Sequence, residues 1–230
     1  MIIIGHRGAC GYEPENTLRS FAKAIDLGVD MIECDVKRCK TGELVIMHDM
    51  LVNRTTNGKG YVHELPFTEL RKLDAGKGEL IPTLSETLDC VNRRAQVNIE
   101  MVTEGIAADV AATIEDFVNN KHWSYDDFLV SSYFHEELKR FRKLLPNLRT
   151  GVLFEGVPLM LAQFATDLGV YALHTWRDYL PQRFVDDAHA RGLRVNCYTV
   201  NDKEDVLRMR DMGVDGIFSD VPDVPRKALK

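Results

Sequence analysis

The sequence predicts a closed (β/α)8 barrel, the TIM-barrel fold of the α/β class, and three observations support this prediction. Short runs rich in Ile, Val and Leu alternate with amphipathic stretches along most of the chain. Eight such runs are present, which is the number of strands in this barrel. The length of 230 residues suits one large α/β unit. We therefore expect residues 1–230 to form a single domain.

Each predicted strand is a short apolar run bounded by turn or helix signals. Nearly continuous apolar runs are typical of parallel strands that are buried on both faces. A ninth, shorter run with strand character covers residues 43–47 and precedes His48. The eight barrel strands are expected at residues 2–5, 31–36, 96–101, 128–131, 149–154, 170–173, 193–198 and 215–218.

Helical patterns fill the spaces between these strands. The first stops at Gly28, and the second starts at Thr83, which is spaced from Glu86 as in a capping box. An open doubly wound sheet is the alternative topology, but the turn after the first strand lacks the glycine pattern of a nucleotide-binding turn. Helices are expected at residues 17–27, 83–92, 106–119, 135–145, 157–168, 182–191 and 203–212.

Residues 50–80 interrupt the alternation of strands and helices. This segment contains two glycine-rich tetrapeptides, at residues 57–60 and 75–78. Neither has the Gly-Lys-Ser/Thr sequence of a phosphate-binding loop. Because a connection of this length is usually functional, we interpret it as a small insertion after the second strand region, covering one end of the barrel.

Composition excludes several classes of function. The formal net charge of −6 and the pI of about 5.7 argue against a nucleic-acid-binding protein, which usually presents a basic face. No run approaches the roughly 18 apolar residues that a bilayer crossing requires, so stable membrane insertion is not expected. The sequence shows no secretory leader, and its five cysteines form no C-x-x-C pair. These features favour a cytoplasmic protein with reduced thiols.

Carboxylates lie at the ends of two neighbouring predicted strands. In a parallel barrel the C-terminal strand ends face the active site. Glu33 and Asp35 are two residues apart and therefore point to the same side of their strand, and Glu100 ends the next strand. Three oxygen donors suit a hard cation such as Mg2+, Ca2+ or Mn2+ better than zinc. The alternative is that these carboxylates are solvated or salt-bridged and bind no metal.

Two histidines and an arginine are expected at the same mouth. His6 and Arg7 follow the first strand, and His48 follows the run at 43–47. Histidines can exchange protons near neutral pH, one as base and one as acid, while an arginine fork suits a phosphate. Each residue alone could be structural or merely exposed. Their joint placement beside a divalent cation indicates phosphoryl transfer.

Ordered motifs spanning residues 5 to about 222 resemble those of the glycerophosphodiester phosphodiesterases. Eight blocks occur in the order of that family, which makes the resemblance specific. The first block is His6-Arg7-Gly8 with Pro14-Glu15-Asn16-Thr17. The others include Glu33-x-Asp35-Val36, residues 45–49, 54–60, 81–84, 98–100, 198–201 and 213–220.

The resemblance implies a barrel like that of the phosphatidylinositol phospholipases C, with residues 50–80 as the extra segment of the family. It implies that Glu33, Asp35 and Glu100 hold one divalent cation, that His6 and His48 are the acid/base pair, and that Arg7 binds phosphate. The implied substrates are small glycerophosphodiesters such as glycerophosphocholine or glycerophosphoethanolamine, cleaved to glycerol 3-phosphate and an alcohol. The implied route uses the glycerol hydroxyl of the substrate as nucleophile, through a cyclic phosphate.

One position departs from the family pattern. The family commonly continues its third-strand motif as Glu-x-Lys, whereas this chain has Val102 in place of the lysine. Lys37 and Arg38 are the nearest candidates for a replacement cation. Otherwise catalysis is weaker, or the protein is an inactive binding or regulatory homologue. A lysophospholipase-D-like activity is a further alternative, and it would need an apolar groove, with Tyr133, Phe134, Tyr198 and Phe218 as candidates. No pattern predicts an oligomeric state.

Overall fold

Eight parallel strands close into a barrel in the computed structural model, which describes all residues 1–230. The ring closes because β1 pairs with both β2 and β9, and the predicted fold class is therefore confirmed. The short β3 lies outside the ring, antiparallel to the end of β2. In chain order the strands are β1 (Ile2–Gly5), β2 (Met31–Arg38), β3 (Leu44–Ile46), β4 (Gln96–Met101), β5 (Phe128–Ser132), β6 (Thr150–Phe154), β7 (Ala172–Trp176), β8 (Arg194–Tyr198) and β9 (Gly216–Ser219).

Nine α-helices connect or follow these strands. The capping box predicted at Thr83 is present, with the Thr83 hydroxyl and the Glu86 carboxylate each accepting a backbone N–H of the other residue. None of the helices combines the length and the apolar content needed to cross a bilayer. In chain order they are α1 (Leu18–Asp26), α2 (Phe67–Leu70), α3 (Leu84–Val91), α4 (Ala107–Asn120), α5 (His135–Leu144), α6 (Gln163–Leu168), α7 (Gln182–Ala190), α8 (Lys203–Asp211) and α9 (Asp223–Ala228).

The helix predicted for residues 157–168 is shorter than expected. Only α6 is α-helical, because Leu161 just before it adopts a positive φ of 48° that a helix cannot contain. The preceding Leu159 and Met160 are exposed turn residues. The short helices α2 and α9 were not predicted, since neither is long enough to show an apolar period.

Two apolar cores hold the barrel together. The larger one lies between the strands and the surrounding helices and contains 47 buried residues. A smaller layer fills the inside of the barrel. This inner layer consists of Ile4, Met31, Leu129, Ala172 and Phe218.

The segment between β3 and α3 has a small core of its own. It contains α2, a 3-10 turn at Val62–Glu64 and an isolated bridge between Leu51 and Tyr61. This core has eight buried apolar residues and is separate from the barrel cores. Six of them, including Val52 and Leu70, belong to the segment, and the other two are Cys39, just beyond the end of β2, and Val45, in β3. The connection over residues 50–80 is therefore folded and packed at one end of the barrel.

Strand alternation in β2 decides which side chains face the inside of the barrel. Cys34 and Val36 belong to the outer core against the helices. Glu33, Asp35 and Lys37 alternate with them and so point to the opposite side. Each of these three polar side chains is almost completely buried. The chain therefore places charges within the barrel mouth.

The absence of a side chain at Gly151 makes room for a buried histidine. A Cβ at position 151 would lie 2.7 Å from Nε2 of His174, which is fully buried and 3.1 Å from the side-chain nitrogen of Asn196. We expect Gly151→Ala to lower the free energy of unfolding by about 1–3 kcal/mol, as for other overpacked cores. Urea denaturation measures this loss. In a His174→Ala background the same change should cost little, and an equal cost in both backgrounds would contradict the explanation.

Candidate active site

One cavity of about 370 Å³ opens at the C-terminal ends of the barrel strands. All six residues that the sequence predicted for a site contribute to its lining, so the structure brings every one of them together. Aromatic residues and a further carboxylate complete the walls. The lining consists of His6, Arg7, Glu33, Asp35, His48, Glu100, Tyr133, Leu153, Glu155, Trp176, Tyr198, Thr199 and Phe218.

Three buried carboxylates form one wall of the cavity. Carboxylate oxygens of Glu33, Asp35 and Glu100 lie within 4.8 Å of one another, and Asp35 pairs directly with Glu100 across β2 and β4. Burial and then repulsion from Asp35 raise the pKa of Glu100 to about 8. Burial and the charges of Asp35 and Glu100 also raise the pKa of Glu33 well above its usual range. The ionised form of this wall is therefore unfavourable, and a positive charge beside it would relieve the repulsion.

The donor set fits a hard divalent cation. All three donors are oxygens, they come from two adjacent rigid strands, and the raised carboxyl pKa values show that the group is electrostatically incomplete. A second cluster, His6, Cys10 and Asp220, does not fit a cation in the same way. There, burial and the hydrogen bond that Cys10 donates to Asp220 raise the pKa of the thiol. A protonated thiol is not a metal ligand.

Arg7 is fixed against this wall by both its backbone and its side chain. Its φ of 53° turns the chain sharply after β1, and its backbone N–H donates to Glu33 at 2.7 Å. The guanidinium donates to Glu15 at 2.8 Å, and its Nε lies 3.5 Å from Asp35. Although burial opposes it, the surrounding charges of Asp35, Glu15 and Glu33 raise the pKa of Arg7. Arg7 is therefore a permanent cation beside the carboxylates.

Asn16 holds Asp35 in place. Its amide nitrogen donates to the Asp35 carboxylate at 2.8 Å, and its amide oxygen accepts the Asp35 backbone N–H at 3.3 Å. Asn16 is 4% exposed and adopts a positive φ of 57°, which asparagine tolerates better than most residues. The Pro14-Glu15-Asn16 sequence thus supplies partners for Arg7 and for Asp35.

His6 is oriented by a carboxylate from the far end of the chain. Its Nδ1 lies 2.7 Å from Asp220, which also accepts hydrogen bonds from Cys10 and from the Asn201 side chain. Burial opposes ionisation of Asp220, but the bonds from His6 and Cys10 hold its pKa well below the usual range. An ionised Asp220 keeps a proton on Nδ1 of His6 and leaves Nε2 for the cavity.

His48 has a similar arrangement on the other side of the cavity. Its Nδ1 lies 2.7 Å from Asp49, and Arg54 donates to both oxygens of Asp49, at 2.7 and 2.9 Å. The bonds from Arg54 lower the pKa of Asp49, against a smaller effect of burial. Arg54 also binds both oxygens of Glu15, at 2.6 and 2.8 Å. A continuous network therefore connects Arg7 to His48.

The wall opposite the carboxylates is largely aromatic. Tyr133 and Tyr198 are hydrogen-bonded through their hydroxyls, and Tyr133 also donates to Glu155 at 3.3 Å. Burial raises the pKa of Tyr133 to about 12, so its hydroxyl stays protonated. Trp176 and Phe218 each pack against the ring of Tyr198. Of the four aromatics considered for an apolar groove, Phe134 does not line this cavity.

Lys37 and Arg38, the two candidates to replace the lysine that is missing at position 102, lie in different surroundings. Arg38 donates to the carbonyl of Gly105 and to Asp109, outside the cavity. Lys37 is 3% exposed and follows Asp35 on the inward face of β2. Burial lowers the pKa of Lys37, while the charges of Asp35, Asp49 and Glu100 oppose that shift.

The sequence analysis missed the residues that hold the site in shape. Asp220, Asn201 and Cys10 meet around His6 only because β9 closes the ring next to β1. The position of Asp49 directly after His48 was a signal that could have identified it as a histidine partner. Arg54 begins the motif block at residues 54–60, in the segment between β3 and α3, but nothing in the sequence predicted that it would bind Asp49 and Glu15.

Comparison with known proteins agrees with this geometry. The Glycerophosphoryl diester phosphodiesterase family matches residues 6–224. A glycerophosphodiester phosphodiesterase of Caldanaerobacter subterraneus subsp. tengcongensis is 35% identical over 96% of this chain and 95% of its own length. A glycerophosphodiester phosphodiesterase of Bacillus subtilis is 32% identical over 100% of this chain and 87% of its own.

A solved structure extends the likeness to the fold. The phosphodiesterase of Oleispira antarctica, determined with its product sn-glycerol-3-phosphate, superposes with a TM-score of 0.92 at 31% identity. The match covers 100% of this chain and 96% of that one. The predicted family resemblance is confirmed: this chain belongs to the glycerophosphodiester phosphodiesterase family and is a phosphodiesterase enzyme.

Proposed function

We propose that the enzyme hydrolyses small glycerophosphodiesters, such as glycerophosphocholine or glycerophosphoethanolamine, in a metal-dependent reaction that uses His6 and His48 as acid and base. The products would be glycerol 3-phosphate and the free alcohol. The observation that carries the proposal is that two histidines, each backed by a carboxylate, line one cavity together with Arg7 and three buried carboxylates. The bound product of the Oleispira antarctica phosphodiesterase supports the same chemistry.

Glu33, Asp35 and Glu100 would hold the divalent cation, which is Mg2+, Ca2+ or Mn2+ on the chemistry of its ligands. When bound, such a cation polarises a phosphoryl oxygen and neutralises charge that develops on it. The protein contributes the rigid placement of the three ligands. Asn16 and the backbone of Arg7 each bond to one of these carboxylates, so the ligands are oriented before any cation binds.

The histidines would move the protons. In the first step one histidine accepts the proton of the glycerol hydroxyl next to the phosphate, and that oxygen bonds to phosphorus. The bond from phosphorus to the alcohol breaks, and the other histidine protonates the departing oxygen, leaving a cyclic phosphate. In the second step the roles reverse, a water oxygen bonds to phosphorus, and the ring opens to glycerol 3-phosphate. No protein nucleophile is needed.

Neither alternative function is favoured by the geometry. An inactive homologue would not need a complete set of histidines, ligands and arginine in one cavity, and all six are present here. A lysophospholipase-D-like activity needs an apolar groove for an acyl chain. The aromatic wall is instead tied to polar partners through Tyr133, Tyr198 and Glu155.

Removal of either histidine should abolish activity. We expect His6→Ala and His48→Ala to lower kcat with glycerophosphocholine by roughly 10²–10⁴-fold, because each change removes an acid/base group. Released glycerol 3-phosphate, coupled to its dehydrogenase in the presence of Mg2+, Ca2+ or Mn2+, measures the rate. His63→Ala is the matched control, since His63 is exposed and does not line the cavity. No turnover by the unmodified enzyme, across several metals and headgroups, would disprove the proposed function.

Asp220 should matter to the rate without contacting substrate. Asp220→Asn removes the charge that fixes the proton on Nδ1 of His6. We therefore expect kcat to fall by about tenfold or more, with a smaller change in KM. Steady-state kinetics over a pH series separates this effect from misfolding, because the pH profile moves only if His6 is perturbed. Asp223→Asn serves as the control, since Asp223 binds Tyr12 and Lys227 at the rim. An unchanged kcat and pH profile in Asp220→Asn would contradict the assignment.

Metal binding should stabilise the protein more at alkaline than at acid pH. The pKa of Glu100 is about 8 in the folded protein against 4.5 for an ordinary glutamate. The folded protein therefore binds the extra proton between these values, and in chelator its stability falls as pH rises through this window. A cation removes that penalty. At a fixed concentration about one hundred times the Kd at pH 8, the cation should raise the thermal unfolding midpoint by roughly 5–10 °C at pH 8. The same concentration should raise it by less at pH 5.5, where protonation of Glu100 weakens metal binding.

Differential scanning fluorimetry with and without chelator measures this difference. Glu100→Gln is the matched control, because it removes one ligand and the group with the raised pKa. Equal midpoint shifts at both pH values, or a full shift in Glu100→Gln, would contradict the assignment of the three ligands.

A further inference from the structure

Lys37 is a buried ammonium group without an anionic partner at bonding distance. The residue is 3% exposed, and the one hydrogen-bond acceptor of its Nζ is the sulfur of Met50, at 3.5 Å. A thioether is a weak acceptor and carries no charge. Buried lysines are nearly always paired, because an isolated charge is costly to remove from water. Lys37 does not line the cavity, but it lies two residues beyond Asp35 on the same face of β2, and no protein anion is bonded to its ammonium.

The strand register places this cation next to the carboxylate wall. Glu100 pairs with Asp35 and Met101 pairs with Val36, so Lys37 is the neighbour of Val102 on the adjacent strand. The backbone N–H of Val102 donates to the carbonyl of Val36 at 3.3 Å, which continues the same register. Residues adjacent across two strands point to the same face of the sheet. The side chains of Lys37 and residue 102 therefore face the same part of the barrel mouth.

The charges around Lys37 indicate what kind of partner it requires. Asp35, Asp49 and Glu100 are the charged groups that act on it, and none of them forms a hydrogen bond with its Nζ. Two of these carboxylates belong to the wall that would hold a cation. An anion that binds between the carboxylate wall and the histidines would attract the Lys37 ammonium once its flexible stem turns from Met50 toward the cavity. A phosphate oxygen is an acceptor that a lysine binds as a point charge.

We propose that Lys37 donates a hydrogen bond to a phosphate oxygen of the bound diester, and so supplies from β2 the cation that position 102, just beyond the end of β4, lacks. This inference rests on the proposed function of the site. The ammonium reaches the phosphate by turning its flexible stem away from Met50, which is half-exposed at the rim. Arg38, the neighbouring cation, is excluded because it alternates with Lys37 along β2 and so points to the opposite face of the strand, where it binds Gly105 and Asp109.

A merely electrostatic role for Lys37 would give a different result. If the lysine only balanced the nearby carboxylates, its removal would change metal affinity and leave phosphate affinity at constant metal saturation unchanged. If it binds substrate, its removal weakens phosphate binding, while a divalent cation binds as well as before or better, because a repelling charge has gone.

The experiment compares Lys37→Met with the unmodified enzyme. The matched control is Lys40→Met, an exposed lysine just beyond the end of β2. We expect kcat/KM for glycerophosphocholine and the affinity for glycerol 3-phosphate, by calorimetry at saturating Mg2+, to fall about 10- to 100-fold in Lys37→Met, the range for a hydrogen bond to a charged group. Lys40→Met should match the unmodified enzyme. Metal affinity, titrated separately, should not fall in either variant.

Restoring a cation on the neighbouring strand provides the second test. Lys37→Met combined with Val102→Lys should regain most of the lost affinity for glycerol 3-phosphate, since the new ammonium starts from the adjacent position on the same face. If Lys37→Met does not fold, as judged by thermal unfolding, Lys37→Gln removes the charge while retaining a polar end. Unchanged affinity and kcat/KM in a folded variant of position 37 overturns the inference.

The two proposals fail in distinguishable ways. If the proposed function is wrong, the unmodified enzyme turns over no glycerophosphodiester, yet its affinity for inorganic phosphate still reports on Lys37. If the inference alone is wrong, the unmodified enzyme is active and the position-37 variant is equally active. Loss of affinity without rescue by Val102→Lys also counts against it, because the two positions would then not serve the same phosphate.

Discussion

The crowding of three buried carboxylates at the barrel mouth is the constraint on which the rest of the site depends. Glu33, Asp35 and Glu100 are held by β2 and β4, whose hydrogen-bonded register leaves them no freedom to separate. Burial and then the repulsion between like charges raise the pKa values of Glu33 and Glu100, and the neighbouring groups offset part of this repulsion. Arg7 and Lys37 provide positive charge nearby, and amide or backbone donors orient the oxygens that face them.

This constraint also explains the segment between β3 and α3. Its own small core fixes the chain that carries Arg54, whose guanidinium joins Glu15 to Asp49. Glu15 in turn binds Arg7, and Asp49 binds His48. A shift of this segment would therefore disturb a phosphate-binding candidate and an acid/base candidate together. The segment therefore holds side chains of the site in position, although none of its residues 50–80 lines the cavity.

The sequence predicted the barrel and six of the thirteen residues that line the cavity, because both predictions depend on short-range patterns. Strand alternation places Glu33 and Asp35 on one face, and the barrel brings strand ends to one mouth. The helix at 157–168 was predicted too long, since no apolar period records the positive φ of Leu161. The pairing of His6 with Asp220 could not be predicted either. It joins residues 214 positions apart, and it exists only because the ring closes between β1 and β9.

The departure at Val102 illustrates why single positions are poor guides to loss of function. A bound phosphate needs a positive charge near its oxygens, and a side chain from either of two adjacent strands can provide that charge. On the proposed role of Lys37, this residue and residue 102, which are neighbours in the register of β2 and β4, would supply the same cation from the same backbone. The three carboxylates still outnumber Arg7 and Lys37, so the bare mouth disfavours an anion. Substrate affinity and metal affinity should therefore be positively coupled, with the lysine setting how strongly the phosphate is held once the carboxylates are neutralised.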